Sequence, residues 1–204
     1  AIRRARGQVK NHNSMLIHVT RFVFWQNKIA SLLDKLLKAY QQQIQYRQGS
    51  ILEELKSLYF NEVVPVTEVV LANDRFDDNQ IKKHDWFEIE SQLNKAAGKI
   101  QVRAIHGDNR LEGLDYENIT SLDYYDQRKT GLSVIAVGGN KLSRGLTLEG
   151  LSVSYYLRSS KMYDTLMQMG RWFGYRSGYL DLCRIFTSGE LIKWYKYITV
   201  ASEE

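Results

Sequence analysis

The sequence predicts an α/β protein with a mostly parallel β-sheet and helices on both faces. Two observations support this prediction. Short apolar runs of strand length alternate with longer segments whose apolar residues recur every three or four positions. Several of the short runs are continuously apolar, which is typical of strands buried on both faces of a parallel sheet. A repeated strand–helix order favours parallel pairing, because each helix returns the chain to the same end of the sheet.

The first strand–helix unit lies near the start of the chain. Residues 14–19, SMLIHV, predict a short buried strand, and an amphipathic helix is expected after it, from about Trp25 to Tyr46. The apolar positions of that helix are Ile29, Leu32, Leu33, Leu36, Leu37, Tyr40 and Ile44. Residues 1–13 are basic and polar without a sustained period, and we interpret them as a linker from a preceding domain.

The next segment, 47–98, is less regular. Residues 51–60 and 78–97 have helical patterns, whereas 63–72 has the pattern of either a strand or a buried loop. We interpret 47–98 as a helical insertion, so that residues 14–204 form a single lobe.

Regular alternation resumes at residue 99. The predicted elements are a strand at 99–105 that ends beside His106, strands at 133–137 and 151–157, a helix at 160–173, a strand at 182–186 and a helix at 190–200.

Length and composition limit the class of protein. The chain has 204 residues, of which 44% are apolar, enough for one well-buried core. Cys183 is the only cysteine, so we expect a reducing cytoplasmic location and a buried, structural thiol. No apolar run is long enough to cross a bilayer, and no membrane partner is predicted. The scattered histidines do not have the spacing of metal ligands, so no metal site is predicted.

Positive charge is concentrated in the first quarter of the chain. Residues 1–50 contain nine Lys or Arg and one acidic residue, whereas the remainder contains 19 basic and 22 acidic residues. This asymmetry favours contact with a polyanion such as nucleic acid. It is equally compatible with an exposed linker that Arg3, Arg4, Arg6 and Lys10 keep soluble.

The strongest functional signal is the segment QMGRWFGYR, residues 168–176. Its arginines, Arg171 and Arg176, remain charged at any physiological pH, and a guanidinium matches the geometry of phosphate oxygens. A strand followed by a loop rich in Gly and Ser precedes this segment, at 133–151. Together these features predict a surface that binds phosphate groups, although stacking and ion pairing within the protein are the structural alternative for both arginines.

A complete nucleotide-binding site is not encoded in this sequence. The phosphate-binding string G-x-x-x-x-G-K-[ST] does not occur, and neither does an acidic dipeptide suited to Mg²⁺. We therefore expect one half of a composite site, and no ATPase activity from this chain alone.

The run VGGNKLSRGLTLEGLSVSYYLR, followed by YDTLMQMGRWFGYR, resembles the Z1 domain of bacterial helicase-like proteins. More broadly, residues 14–33 and 133–186 resemble the second RecA-like lobe of superfamily-two helicases and translocases. The resemblance implies a motor lobe that closes on an N-terminal RecA-like lobe of the same polypeptide, with ATP and Mg²⁺ bound in the full-length protein and DNA, or RNA, as the track.

The resemblance also implies roles for individual residues. Arg171 and Arg176 are the two candidates for an arginine finger at the γ-phosphate. The positions implied to contact the nucleotide are Gln168, Gly170, Gly145 and Thr147, the last in place of an aspartate that many relatives have. The positions implied to contact the nucleic-acid backbone are Thr20, Arg21, His106, Gly138, Gly139, Asn140, Ser143 and Arg144.

Two other functions stay open. The first is a non-catalytic nucleic-acid-binding or scaffold domain with the same fold. The second is a nuclease, for which Glu53-Glu54-Leu55-Lys56 offers a Glu-x-Lys pair without a placed aspartate partner.

Overall fold

A computed structural model describes residues 1–73, 75–105, 122, 124–139, 147–157 and 176–203. Its strands are β1 (Asn13–His18), β2 (Ile100–Ile105), β3 (Ser133–Gly138), β4 (Leu151–Tyr156) and β5 (Arg184–Thr187). Its α-helices are α1 (Ile2–Ala5), α2 (Val23–Tyr46), α3 (Ile51–Leu58), α4 (Val64–Leu71), α5 (Trp86–Ala97) and α6 (Gly189–Glu203). A π-helical turn (Tyr59–Val63) joins α3 to α4, and a 3₁₀ turn (Leu180–Leu182) precedes β5.

The five strands form one sheet in the order β2-β3-β1-β4-β5, and every pair is parallel. The first strand of the chain is therefore the central one, with Leu16 opposite Ala136 on one side and Ser154 on the other. Helices cover both faces, so the predicted α/β class is confirmed, and the sheet is wholly parallel among the described strands.

One face of the sheet carries the main apolar core. Leu16, Ile105 and Ala136 are fully buried there, and Leu191 and Ile198 of α6 pack against the same cluster. Each of these strands is apolar at successive positions because its opposite face is buried as well. Ile17 and Val137, which alternate with the core residues, are also buried.

Two element predictions in the segment 47–98 are wrong. Residues 64–71 form helix α4 and not a strand or loop, even though β-branched residues are common there. Helix α5 begins at Trp86 and not near residue 78, because the Asp85 carboxylate accepts a hydrogen bond from the Glu88 amide at 2.8 Å and caps the helix there. The predicted helix at 160–173 lies outside the described residues.

The first twelve residues pack against the lobe. The Arg3 side chain is buried, donates to the carbonyl of His12 at 2.8 Å, and lies 3.9 Å from the centre of the Tyr179 ring. Arg6 forms a two-pronged ion pair with the fully buried carboxylate of Asp181, at 2.7 and 2.6 Å. The interpretation of Arg3 and Arg6 as exposed charges that keep a linker soluble is therefore wrong, because both side chains are buried and bonded to other residues of the fold. The division into a linker and a lobe stays a prediction.

Candidate phosphate and nucleic-acid site

Two of the predicted backbone-contacting loops meet at the carboxyl edge of the sheet. Thr20 and Arg21 follow β1, and Gly139 follows the neighbouring strand β3. A Cβ atom at Gly139 would lie 3.1 Å from the Thr20 carbonyl oxygen and 3.4 Å from the Arg21 Cα. Residues far apart in sequence therefore lie close together at one edge, because the parallel strands β1 and β3 end at the same edge of the sheet.

The buried side chain of Gln26 holds the Thr20 loop in place. Its side chain is 2% exposed, and its Nε2 donates to the Thr20 carbonyl at 3.1 Å. Its Oε1 is buried and accepts no hydrogen bond within the described part of the chain. A Cβ at Gly139 would lie only 2.5 Å from Gln26 Nε2, so glycine at this position is explained by close packing.

The strands β1 and β4 are adjacent and parallel, but the connections that follow them run toward opposite sides of the sheet. The chain leaves β1 toward β2 and leaves β4 toward β5, which makes the crevice between them a topological switch point. The rings of His18 and Tyr156 lie at the ends of these two strands, 5.2 Å apart, and both are buried. Ligands of open α/β sheets bind outside the carboxyl ends of strands at such a point.

Helix α2 begins directly after Arg21 and presents aromatic rings to solvent. Phe22, Phe24 and Trp25 are 56%, 70% and 54% exposed. Trp25 is the first residue of the helix that the sequence predicts, whereas Phe22 and Phe24 lie before its regular period. The signal that finds them is their position, immediately after a buried strand.

Arg176 lies near the opposite, amino edge of the sheet. It is partly exposed and begins a turn in which the Tyr179 amide donates to the Arg176 carbonyl at 3.3 Å. The Gly178 amide donates to Asp78 at 2.6 Å, and the Gly178 carbonyl accepts from Arg6 at 3.1 Å. The segment interpreted as an insertion and the first twelve residues therefore both hold the turn that follows the candidate finger.

The positive charge of Arg176 acts to lower the pKa of two neighbouring side chains, Cys183 and Tyr179. Burial raises the pKa of the Cys183 thiol, and the guanidinium of Arg176 acts in the opposite direction. Burial likewise raises the pKa of Tyr179, opposed by Arg3 and then by Arg176. The Cys183 Sγ lies 3.6 Å from the Tyr179 carbonyl oxygen. Cys183 immediately precedes β5, and Tyr179 caps the 3₁₀ turn before it, so Arg176 lies near the amino end of β5.

The structure does not bring Arg176 together with Gly138, Gly139, Thr20 and Arg21. Strands β3 and β5 are three strand spacings apart in the sheet, which is about 14 Å, and the two groups lie at opposite strand ends. Among the described residues, any site at Arg176 is therefore separate from the carboxyl-edge site.

The remaining predicted positions divide into two groups. Thr147 is described and exposed, just before the buried Leu148. The others lie outside the described residues: Arg171, Gln168, Gly170, Gly145, His106, Asn140, Ser143 and Arg144. Their assigned roles stay predictions.

The Glu-x-Lys pair of the nuclease alternative lies on helix α3. Glu54 is in the first turn, where its carboxylate accepts a hydrogen bond from Ser50 and where acidic residues favour the helix dipole. Over the described ranges, no three His, Cys, Asp or Glu residues are grouped in a way that could hold a metal ion. In the same ranges, no helix combines the length and apolar character needed to cross a membrane.

Comparison with known proteins gives one positive finding. The family model of the Z1 domain matches residues 1–204, which includes both the first thirteen residues and the segment 47–98. No curated protein and no solved structure matches the chain.

Proposed function

This chain belongs to the Z1 domain family, and we propose that it is the C-terminal motor lobe of an ATP-dependent DNA helicase or translocase. The observation that carries the proposal is the junction of two loops at the carboxyl edge of a parallel sheet. Thr20 and Arg21 lie beside Gly139 there, and Gln26 donates a hydrogen bond to the Thr20 carbonyl. Loops joined in this way present backbone amides and a guanidinium together, which suits the phosphates of a nucleic-acid strand.

The arginines have the second role in this proposal. Arg176 is partly exposed on a turn that two separate segments hold in place, so its charge is presented from a rigid support. A nucleotide bound by another lobe would supply the phosphoryl group and its Mg²⁺. Arg171 or Arg176 would then neutralise charge on the γ-phosphate when the two lobes close.

The separation of the two sites fits a motor. A lobe that grips nucleic acid at one edge and senses a nucleotide elsewhere couples them through rigid-body closure. The alternative is a non-catalytic nucleic-acid-binding domain. The same carboxyl edge supports it, because the residues there are exposed without ATP. Hydrolysis decides between the two.

The test is DNA-stimulated ATP hydrolysis by the full-length protein, wild type against Arg176→Ala and Arg171→Ala. We expect turnover to fall by about 10³-fold or more for the variant that removes the finger, with DNA affinity retained. Arg47→Ala is the matched control, because Arg47 is an exposed arginine that pairs with Glu90 on the surface, and its turnover should equal that of the wild type. Absence of hydrolysis in the wild type would overturn the motor proposal.

A further inference from the structure

Three aromatic side chains are exposed to solvent at the start of helix α2. Phe22, Phe24 and Trp25 are each more than half exposed and are nearly consecutive. Exposed aromatic clusters of this kind are costly in water, because each ring retains apolar area that burial would stabilise. Their position beside the Thr20–Gly139 junction places them at the proposed nucleic-acid edge.

The geometry of the rings favours separate bases over a continuous stack. The Phe24 and Trp25 rings are 5.3 Å apart and inclined at 79°, so their faces are nearly perpendicular. Two bases stacked on these faces would be splayed, which a single strand permits and a regular duplex does not. The Arg21 guanidinium lies 5.0 Å from the Phe22 ring, which adds a cationic group to the same surface.

The surrounding charge is complementary to a polyanion. No Asp or Glu occurs before Asp34, and the first turn of α2 contains no acidic residue. Arg21 is exposed just before α2, and Lys28 is exposed on α2 itself. An acidic strand is therefore attracted to this surface, whereas an apolar partner would have to desolvate both charges.

The platform is rigid. The Phe22 amide donates to the Thr20 hydroxyl at 3.2 Å, and Gln26 donates to the Thr20 carbonyl at 3.1 Å. These bonds fix the turn from β1 into α2, so the rings project from an ordered support and little entropy is lost on binding.

We propose that Phe22, Phe24 and Trp25 form a base-stacking platform for single-stranded nucleic acid, with Arg21 beside its backbone. The inference rests on the proposed function in taking nucleic acid as the ligand. It adds that the ligand is single-stranded and that its bases, and not only its phosphates, contribute to affinity.

The experiment measures binding of the full-length protein to three probes by fluorescence anisotropy: a 20-nucleotide oligothymidine, an abasic strand of the same length, and a blunt duplex. We expect Phe24→Ala and Trp25→Ala each to weaken oligothymidine binding by about 5- to 100-fold, since stacking contributes about 1–3 kcal/mol per base. Abasic-strand affinity and the salt dependence should not change, because the phosphate contacts stay intact.

Phe87→Ala is the matched control. Phe87 is 81% exposed and is the second residue of α5, as Phe24 is the second residue of α2, but it lies away from the carboxyl edge. Its removal should leave all three affinities unchanged. Thermal unfolding of each variant checks that the fold is retained.

Two outcomes would overturn the platform: oligothymidine affinity that Phe24→Ala and Trp25→Ala leave unchanged, or an equal loss for the abasic strand. Its failure is distinguishable from that of the motor proposal. Normal DNA-stimulated hydrolysis in Phe24→Ala and Trp25→Ala, with unchanged oligothymidine affinity, removes the platform alone. Base-dependent binding without any hydrolysis supports the platform and removes the motor.

Discussion

The two edges of the sheet use the same residue types in opposite ways. At the amino edge, Arg3 and Arg6 are buried and bonded to carbonyls and to a carboxylate. At the carboxyl edge, Arg21 and the rings of Phe24 and Trp25 face solvent. Arginine next to aromatic residues therefore indicates neither stability nor binding by itself. The role of such an arginine depends on whether protein hydrogen-bond acceptors surround its guanidinium.

The difference assigns a task to each edge. At the amino edge, Arg3 and Arg6 are bonded within the fold and contribute to folding, and Arg176 is partly exposed beside them. At the carboxyl edge, Arg21, Phe24 and Trp25 are exposed to solvent. This division agrees with the general location of ligand sites in open parallel sheets. It also makes the two edges respond differently to mutation.

The largest effect is expected from breaking the ion pair at the amino edge. Arg6→Ala would leave the Asp181 carboxylate buried, with Thr67 at 2.6 Å as its remaining side-chain donor among the described residues. We expect a loss of about 3–5 kcal/mol in the free energy of unfolding, measured by urea denaturation, because the buried charge loses its partner. Lys38→Ala, which breaks the exposed pair with Asp34, should change it by less than about 1 kcal/mol. Equal effects would contradict the assignment of stability to the amino edge.

A glycine at the amino edge should give the next largest effect. Gly150 has φ +66°, and a Cβ there would lie 1.8 Å from the His12 carbonyl oxygen. Gly150→Ala should therefore cost about 3 kcal/mol or more, since both backbone strain and a clash with backbone arise. Gly7 has φ +83° but nothing within 4 Å of an added Cβ. Gly7→Ala should cost only the strain, about 1–2 kcal/mol, and thermal unfolding compares the two.

At the carboxyl edge, a smaller effect is expected from Gly139→Ala. Its Cβ would lie 2.5 Å from the Gln26 side chain and 3.1 Å from the Thr20 carbonyl oxygen, so we expect a cost of about 1–3 kcal/mol in unfolding free energy. Adding Gln26→Ala should recover part of it, which a double-mutant cycle measures. Gly189→Ala is the control, because an added Cβ there meets nothing within 4 Å. Strict additivity of Gly139→Ala and Gln26→Ala would mean that Gly139 does not pack on Gln26.

The smallest expected effect concerns the Cys183 thiol. Because burial raises its pKa, the reactive thiolate forms at higher pH than in a free thiol, and alkylation by iodoacetamide at pH 8 should be slower than for glutathione. The positive charge of Arg176 lowers this pKa, so Arg176→Ala should slow alkylation further. Arg103→Ala, in the distant strand β2, should not change the rate. An unchanged rate in Arg176→Ala would contradict the location of Arg176 beside β5.

The sheet could be predicted from sequence because its strands are continuously apolar. Runs such as residues 133–137 have few alternatives when both faces are buried, and β3 begins at the predicted residue. Helix α4 could not be predicted in the same way. Its run of valines favours a strand locally, but the Thr67 hydroxyl donates to the Asp181 carboxylate at 2.6 Å, and this contact holds a helix in place.

The candidate site could be predicted only in part. The junction of Thr20 with Gly139 follows from parallel strands whose carboxyl ends meet, but Gln26 as its anchor does not, because a glutamine in a helical pattern carries no signal of burial. The burial of the Arg3 and Arg6 side chains could not be predicted from the sequence either. Composition records their charge, whereas two acceptors of Arg6, the Gly178 carbonyl and the Asp181 carboxylate, lie 172 and 175 positions later in the chain.

The central place of β1 has a consequence for synthesis of the chain. This strand is translated before the other four described strands, yet both of its hydrogen-bonded neighbours, β3 and β4, are translated after residue 132. Until then the apolar strand has no partner on either side, so the sheet cannot assemble progressively as the ribosome advances. Folding is therefore expected to wait for a late, long-range collapse, and the nascent chain carries an unpaired, aggregation-prone segment until that moment.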